Sequence, residues 1–378
     1  MLDFGFFKEL LSIDSTSGKE REVALWLHDR LEAPEKELQE VGDGTLNLFL
    51  KWGTPKVVFC THMDTVPPYI APVFPENILF GGHVHPRTWV GGGARWPEAS
   101  GRGRSERSER SSSEEDILRE NQAIFGRGSC DAKGQILAMY TACKELEAEG
   151  VTDFGLLLLA GEETGSWGAK AFSKTGFQAP FMIVGEPTEN KMVSASKGTK
   201  SYNLCFKGEA FHSGYPEYGV SAVDLFNDFY NKLKAKDFGT DPELGATTWN
   251  IGLLRSDNPQ NILSPELTCR LYFRTTFVSH QAVQEWVSAA AEGFSSAAAL
   301  TVTPNGTGDA PAHYVTLPGF ESGPVAFGSD APHLTGFGHK IICGPGSIRH
   351  AHRSDEHVLI GDLEKAVHQY KKMCKLLK

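Results

Sequence analysis

The run LLLLA at residues 156–160 leaves a chain little freedom. Four leucines and an alanine in succession have no wet side, so they read as a strand buried on both faces, as in the interior of a parallel sheet. Two adjacent carboxylates, Glu162 and Glu163, follow at once between glycines in GEETG. Neighbours on an extended segment point to opposite sides, so these two glutamates should have different work.

Four other stretches place polar residues just beyond apolar strands or in glycine-rich turns. VVFCTHMDTVPP sets His62 and Asp64 two apart, on one side if the strand continues. FGRGSCDAKG offers Asp131, MIVGEPTEN offers Glu186, and CGPGSIRHAHRSDEH offers His350 and His352. Strand ends in α/β sheets are where ligands usually bind. Taken singly, each has a plain reading, such as a surface hydrogen bond for the His-x-Asp pair or a turn-stabilising role for Asp131. Their combination says more. If the strand ends converge, Asp131, Glu163 and Glu186 form a cluster of negative charge, and two unit charges about 4 Å apart repel by about 4 kcal/mol at an effective dielectric near ~20. Two divalent cations with a bridging hydroxide would bring that cluster to neutrality. Imidazole with carboxylate suits Zn²⁺, Co²⁺ or Mn²⁺, and the lack of paired cysteine thiolates argues against a closed structural zinc site. Asp64 would then accept a hydrogen bond from the far nitrogen of His62 and fix its tautomer. GRGSCD lacks the third glycine of a dinucleotide fingerprint, and neither GK[ST] nor HExxH occurs.

Strands and helices alternate over the first half. MLDFGFFKELLSID reads as an amphipathic helix and not a secretion signal. STSGKEREVALWLHDRL opens with a capping box, Ser17 to Glu20, and continues as a helix burying Val23, Trp26, Leu27 and Leu31. Strands follow at LNLFL, KVVFC and FMIV, with helices near 134–148 and 167–174, which implies an α/β domain with a mostly parallel sheet flanked by helices. From about residue 197 the rhythm changes to βαββαβ, with Tyr202, Leu204 and Phe206 on one strand face and Val223, Phe226, Phe229 and Leu233 at helical spacing. The style of the first half returns after about residue 309. The expected layout is therefore 1–196 with 309–378 as one domain, interrupted by an inserted α+β, ferredoxin-like domain at 197–308. A Gly/Arg/Ser-rich stretch at about 80–116, containing His83 and His85, has neither hydrophobic period and reads as a flexible surface loop.

A formal net charge of −10 argues against nucleic acid as a partner. No run is long and apolar enough to span a membrane. Seven widely spaced cysteines with no CxxC pair point to reduced thiols in a cytoplasm, with Cys60 and Cys130 as small buried fillers.

THMDTVPP, GRGSCDAKG, GEETG, GEPTE, FHSGYPEYGVSA and GPGSIRHAHRSDE together resemble the two-metal hydrolases that include acetylornithine deacetylase, succinyl-diaminopimelate desuccinylase and glutamate carboxypeptidase, nearest to the acetylornithine deacetylase branch. The resemblance implies that Asp131 bridges two divalent ions, Zn²⁺ with Co²⁺ as a substitute. It puts His62 and Glu186 on one ion, Glu163 and His352 on the other, and makes Glu162 the general base. It casts the inserted domain as a lid through which two copies form a homodimer, with His212 reaching a neighbouring subunit's site and Asn261 and Arg274 binding substrate. The implied substrate is a small N-acyl amino acid such as N-acetylornithine, in arginine biosynthesis; a desuccinylase or a small-peptide peptidase shares the chemistry. A noncatalytic scaffold is the rival reading, and the intact Glu162 speaks against it. Two departures from the family pattern are the long separation of Asp64 from Asp131 and a short region before His352, which bears on the pocket near Ser329 and Asp330.

Overall fold

The structure, a computed structural model, describes residues 1–42, 44–75, 121–293, 299–306 and 308–378. The Gly/Arg/Ser-rich stretch, with His83 and His85, lies outside the described residues. The chain divides into two compact units, Met1–Asn190 with His333–Lys378, and Lys191–Pro332.

In the first unit the apolar runs form the middle of a six-stranded sheet. Phe154–Leu159 and Val57–His62 are buried at every position, as continuous apolar strands must be, and pair in parallel. Val57–His62 also pairs in parallel with Ala179–Val184, which pairs in parallel with Phe337–Ile342. On the other side, Thr45–Trp52 runs antiparallel to Phe154–Leu159 and carries the edge strand Glu35–Gly42. Helix Lys133–Ala148 packs against the C-terminal helix Ile360–Leu376, Glu20–Arg30 against Thr45–Trp52, and Trp167–Ser173 against Glu35–Gly42. The first helix, Phe4–Ser12, is capped by Asp3, whose carboxylate accepts the Phe6 N–H at 2.9 Å. Its far end is met by the buried ammonium of Lys133, which donates to the carbonyls of Leu10 and Ile13 at 3.1 and 2.6 Å. Burial lowers the Lys133 pKa to about 7.

The second unit is built on a four-stranded antiparallel sheet in the order Thr248–Arg255, Glu266–Thr275, Gly198–Lys207, Ala299–Pro304. With helices Ala222–Ala235 and His280–Glu292 this is the βαββαβ arrangement. Leu204, Phe206, Leu271 and Phe273 from the sheet and Phe229, Leu233 and Val283 from the helices share one core. Val223, expected on the inner helix face, is exposed; Ala222 takes the buried place. Short strands Met192–Ser196, Ala312–His313 and Ser322–Val325 form a separate three-stranded sheet in this unit.

Two local readings change. The strand Glu35–Gly42 escapes the sequence because an edge strand in water carries charged residues at apolar positions. The expected capping box is absent: the helix begins at Glu20, the Glu20 carboxylate accepts from Gly18 N–H, and the Ser17 hydroxyl donates to Asp64 instead.

Asn47 ties the flanks of the GEETG turn to the sheet. Buried Asn47 accepts the Ala160 N–H at 3.0 Å and donates to the Gly168 carbonyl at 3.0 Å, while Gly168 N–H donates to Ala160 at 2.9 Å. A Cβ on Gly168 would stand 2.4 Å from the Asn47 side-chain oxygen and 2.5 Å from the Ala160 carbonyl. Gly168→Ala is therefore expected to cost about 1–3 kcal/mol by overpacking. Urea unfolding followed by circular dichroism tests this, and an unchanged midpoint would refute the tight closure.

Candidate metal centre

The parallel strands end on one side of the sheet, and the polar residues that follow them meet there. His62 is the last residue of its strand, Glu162 and Glu163 follow Phe154–Leu159, and Glu186 follows Ala179–Val184. Asp131 comes from the turn before helix Lys133–Ala148, and His352 from the loop after Phe337–Ile342.

Asp131 lies between two imidazoles. Its Oδ1 is 3.0 Å from His62 Nε2 and its Oδ2 is 3.3 Å from His352 Nε2, which is 2.9 Å from Glu163 Oε1. Donor atoms lie within 4.8 Å of one another in three groups: His62, Asp131 and Glu186; Asp131, Glu163 and His352; and His62, Glu162 and Glu163. Asp131 is thus shared by one wholly buried group and one that reaches solvent through His352, which is 49% exposed. Imidazole nitrogens and carboxylate oxygens in groups of three are a donor set that fits divalent cations of the zinc type. His352 also holds a left-handed backbone, φ 62°, which costs an L-residue on the order of 1 kcal/mol.

Asp64 does more than orient an imidazole. His62 Nδ1 is 2.9 Å from the Asp64 backbone carbonyl and 3.5 Å from its carboxylate. The carboxylate itself accepts the N–H groups of Glu162 at 3.0 Å and Glu163 at 3.1 Å, together with the Ser17 hydroxyl at 2.9 Å. The far nitrogen thus has the carbonyl as its nearer partner with the expected carboxylate beside it, and the carboxylate also holds the turn that bears both glutamates.

The electrostatics follow from these contacts. Burial alone would strip His62 of a proton, but the carboxylates of Asp131 and Asp64 hold its pKa well above the ordinary value. Asp131 and Glu163 raise His352 to about 10. Burial works to raise the Asp131 carboxyl, and hydrogen bonds from His352 and His62 outweigh it and hold the carboxyl low. Cys130 is buried, donates to the Ser347 carbonyl at 3.4 Å, and has its thiol pushed up by burial and by Asp131, which disqualifies it as a nucleophile. His350, the other histidine of its loop, stacks on His357 at 4.0 Å between ring centroids.

The remaining candidates belong to the second unit. His212 and Asn261 lie on adjoining stretches: His212 bridges Ile262, and Ser213 N–H donates to the Asn261 carbonyl at 3.0 Å. Arg274 is on Glu266–Thr275, half-buried, with its guanidinium 5.1 Å from the Tyr272 ring centroid. It shares the partly exposed face with Arg270 and Tyr272, opposite Leu271 and Phe273.

Residues 108–376 match the profile of peptidase family M20/M25/M40. A probable carboxypeptidase of Aspergillus clavatus is 29% identical over 390 residues, covering 97% of this chain and 86% of that protein. Among solved structures, a tripeptidase from Staphylococcus aureus aligns with a TM-score of 0.73 at 18% identity, over 99% of this chain and 97% of that one. A metallo-carboxypeptidase from Sulfolobus solfataricus aligns with a TM-score of 0.68 at 15% identity, over 99% of each chain.

A cation entering this cluster competes with protons, since a histidine ligand must be neutral. Raised imidazole pKa values mean that His62 and His352 carry protons at neutral pH. Loading Zn²⁺ should therefore release protons, and apparent affinity should fall as pH is lowered from about 10. In chelator-treated protein the same raised pKa of His352 gives a stabilising contribution present in full below 6.5 and lost as pH rises through about 10. Calorimetric titration with Zn²⁺ in buffers of differing ionisation enthalpy reads the released protons; heats independent of the buffer would contradict the argument.

Proposed function

The chain belongs to peptidase family M20/M25/M40 and is a hydrolase; from that premise we propose that it cleaves, with two divalent cations, the amide bond of a short peptide or N-acyl amino acid ending in a free carboxylate. The observation that carries this reading is Asp131 shared between two donor groups, with Glu162 beside them. We assign His62 and Glu186 to one cation, Glu163 and His352 to the other, and Asp131 to both. Zn²⁺ suits these donors, with Co²⁺ as a substitute. When bound, the cations would supply the Lewis acidity that polarises the scissile carbonyl and acidifies water.

The chain's own residues do the rest. Glu162 takes the proton of the attacking water and delivers it to the leaving nitrogen. Asp64, by holding the Glu162 and Glu163 amides, keeps the proton carrier and its neighbour in fixed relation. Arg274 grips the substrate carboxylate. Among the described residues it has no carboxylate within ion-pair distance, and buried Lys197 has its pKa lowered by burial and by the Arg274 charge. Two neighbouring cations without a counter-ion favour an anionic ligand. Asn261 and His212 complete substrate binding from the same unit, with Met1–Asn190 and His333–Lys378 as the catalytic domain and Lys191–Pro332, wider than the expected 197–308, as the lid.

Two substrate readings have separate support. Similarity over nearly the whole chain to a probable carboxypeptidase favours a peptide with a free C-terminus. The stretches SASKGTKSY and HSGYPEYG favour N-acetylornithine. We further assign the second unit to homodimer formation, with His212 serving the neighbouring subunit. Leu253 and Leu254, 71% and 55% exposed on the edge strand Thr248–Arg255, support that role.

Amine release from Zn²⁺- or Co²⁺-loaded protein, given N-acetylornithine and a set of di- and tripeptides, separates the substrates. Glu162→Ala, still metal-loaded, should lose activity by about 10²–10⁴-fold, the usual scale for a general base. Full activity in that variant would end the assignment, and silence on every substrate by the metal-loaded parent would end the hydrolase substrate class proposed. Leu253→Asp should shift sedimentation toward the monomer without lowering thermal stability; an unshifted dimer would place the interface elsewhere.

A further inference from the structure

Asp131 sits at the end of the turn that begins at Gly126, and this turn is wrapped round a single side chain from another part of the chain. Glu356 is 1% exposed. Its Oε1 accepts three backbone N–H groups, from Gly128 at 2.9 Å, Cys130 at 3.2 Å and Asp131 at 3.1 Å. Its Oε2 pairs with the buried guanidinium of Arg127, and its backbone carbonyl accepts the Gly126 N–H at 3.0 Å. Arg127 in turn donates from Nε to the Pro68 carbonyl at 3.2 Å.

Amides of one turn converging on a single oxygen, here Gly128 with the adjacent pair Cys130 and Asp131, form a nest for an anion. A buried carboxylate left without donors is costly, and so are buried amides left without an acceptor. The turn therefore cannot shift without stranding one side or the other. Glu356 also follows His352 by four residues, so one segment supplies both a ring that meets Asp131 and the anion round which the Asp131 turn is folded.

We propose that Glu356 is the positioning residue for Asp131, fixing the 126–131 turn so that one Asp131 oxygen faces His62 and the other faces His352. The inference rests on the reading of Asp131 as a ligand shared by two cations. Glu356 touches neither substrate nor cation; it acts through the backbone of the residue it holds. A residue that only filled the core would affect stability and leave cation binding alone.

Glu356→Gln separates these roles. An amide keeps the size of the side chain but offers one acceptor oxygen, so either the three N–H groups or Arg127 must face an NH₂ group. The expected result is a Co²⁺ affinity lower by about 10–100-fold, the usual scale for losing an outer hydrogen-bond partner of a ligand. It is read by chelator competition on protein shown folded by circular dichroism, together with a changed Co²⁺ visible spectrum. Asp131→Asn is the reference that loses the shared ligand directly. Folded Glu356→Gln protein that holds two Co²⁺ ions with parental affinity and spectrum overturns the proposal. If Glu356→Gln does not fold, Glu356→Asp, which keeps the charge but is one methylene short of the nest, takes its place under the same two criteria. Parental protein that does not hold two Co²⁺ ions, with Asp131→Asn no worse, would instead overturn the reading of the site and this inference with it.

Discussion

His62 stands opposite Leu159 in the parallel ladder between Val57–His62 and Phe154–Leu159, and Cys60 stands opposite Val184 in the ladder on the other side. The pairing continues past the strands, with Met63 N–H donating to Leu159 and Gly185 N–H donating to Cys60, both at 2.8 Å. From that register Glu162, Glu163 and Glu186 emerge within a few residues of His62 on the same side of the sheet. A slip of one residue would turn His62 to the opposite face and scatter the donors. The long apolar runs thus do two things at once: they bury the middle of the sheet and they index its polar ends.

Gathering carboxylates in one place has a cost that is met locally. Two of the turns at the site are organised by a buried carboxylate from elsewhere in the chain: Asp64 for the amides of Glu162 and Glu163, Glu356 for those of Gly128, Cys130 and Asp131. Each inward carboxylate gains the donors that a charge removed from water requires. In return, each turn gains an acceptor that only one backbone geometry satisfies. Negative charge at this centre is therefore also the means of ordering the segments that carry it.

The parts of this arrangement legible in the sequence are those with a period or a composition. Continuous apolar runs announced the parallel strands, alternation announced Tyr202, Leu204 and Phe206, and the polar residues beyond the strands stood out against their surroundings. The parts that were hidden depend on distant partners. Ser17 and Glu20 have the spacing of a capping box, yet Ser17 is taken by Asp64, which is 47 positions away. Glu356 lies in the quoted stretch GPGSIRHAHRSDEH but looks like one more acid near an arginine; its amide partners are more than 220 positions away. The contact of Asp64 with the imidazole two positions before it is legible, whereas its hold on the Glu162 and Glu163 amides, 98 and 99 positions away, is not. Hydrogen bonds to backbone amides leave no mark on the residues that supply the amides.

The strand Glu35–Gly42 has a meaning beyond its pairing. It is the outermost strand of its sheet, and Glu35, Lys36 and Glu37 are exposed along it, with Glu35 and Glu37 within reach of Lys51 on the next strand. Any chain adding to that side would have to dehydrate a row of charges to reach the open backbone groups. Thr248–Arg255, outermost in the other sheet, is different: its register shifts between Gly252 and Arg255, at the point where Leu253 and Leu254 face water. That irregularity interrupts the backbone template but leaves two greasy side chains in view. One rim is thus closed to strand addition by hydration, while the other is open to contact through side chains but poorly shaped for continuing the ladder, so growth of either sheet into a fibre is discouraged by two unrelated means.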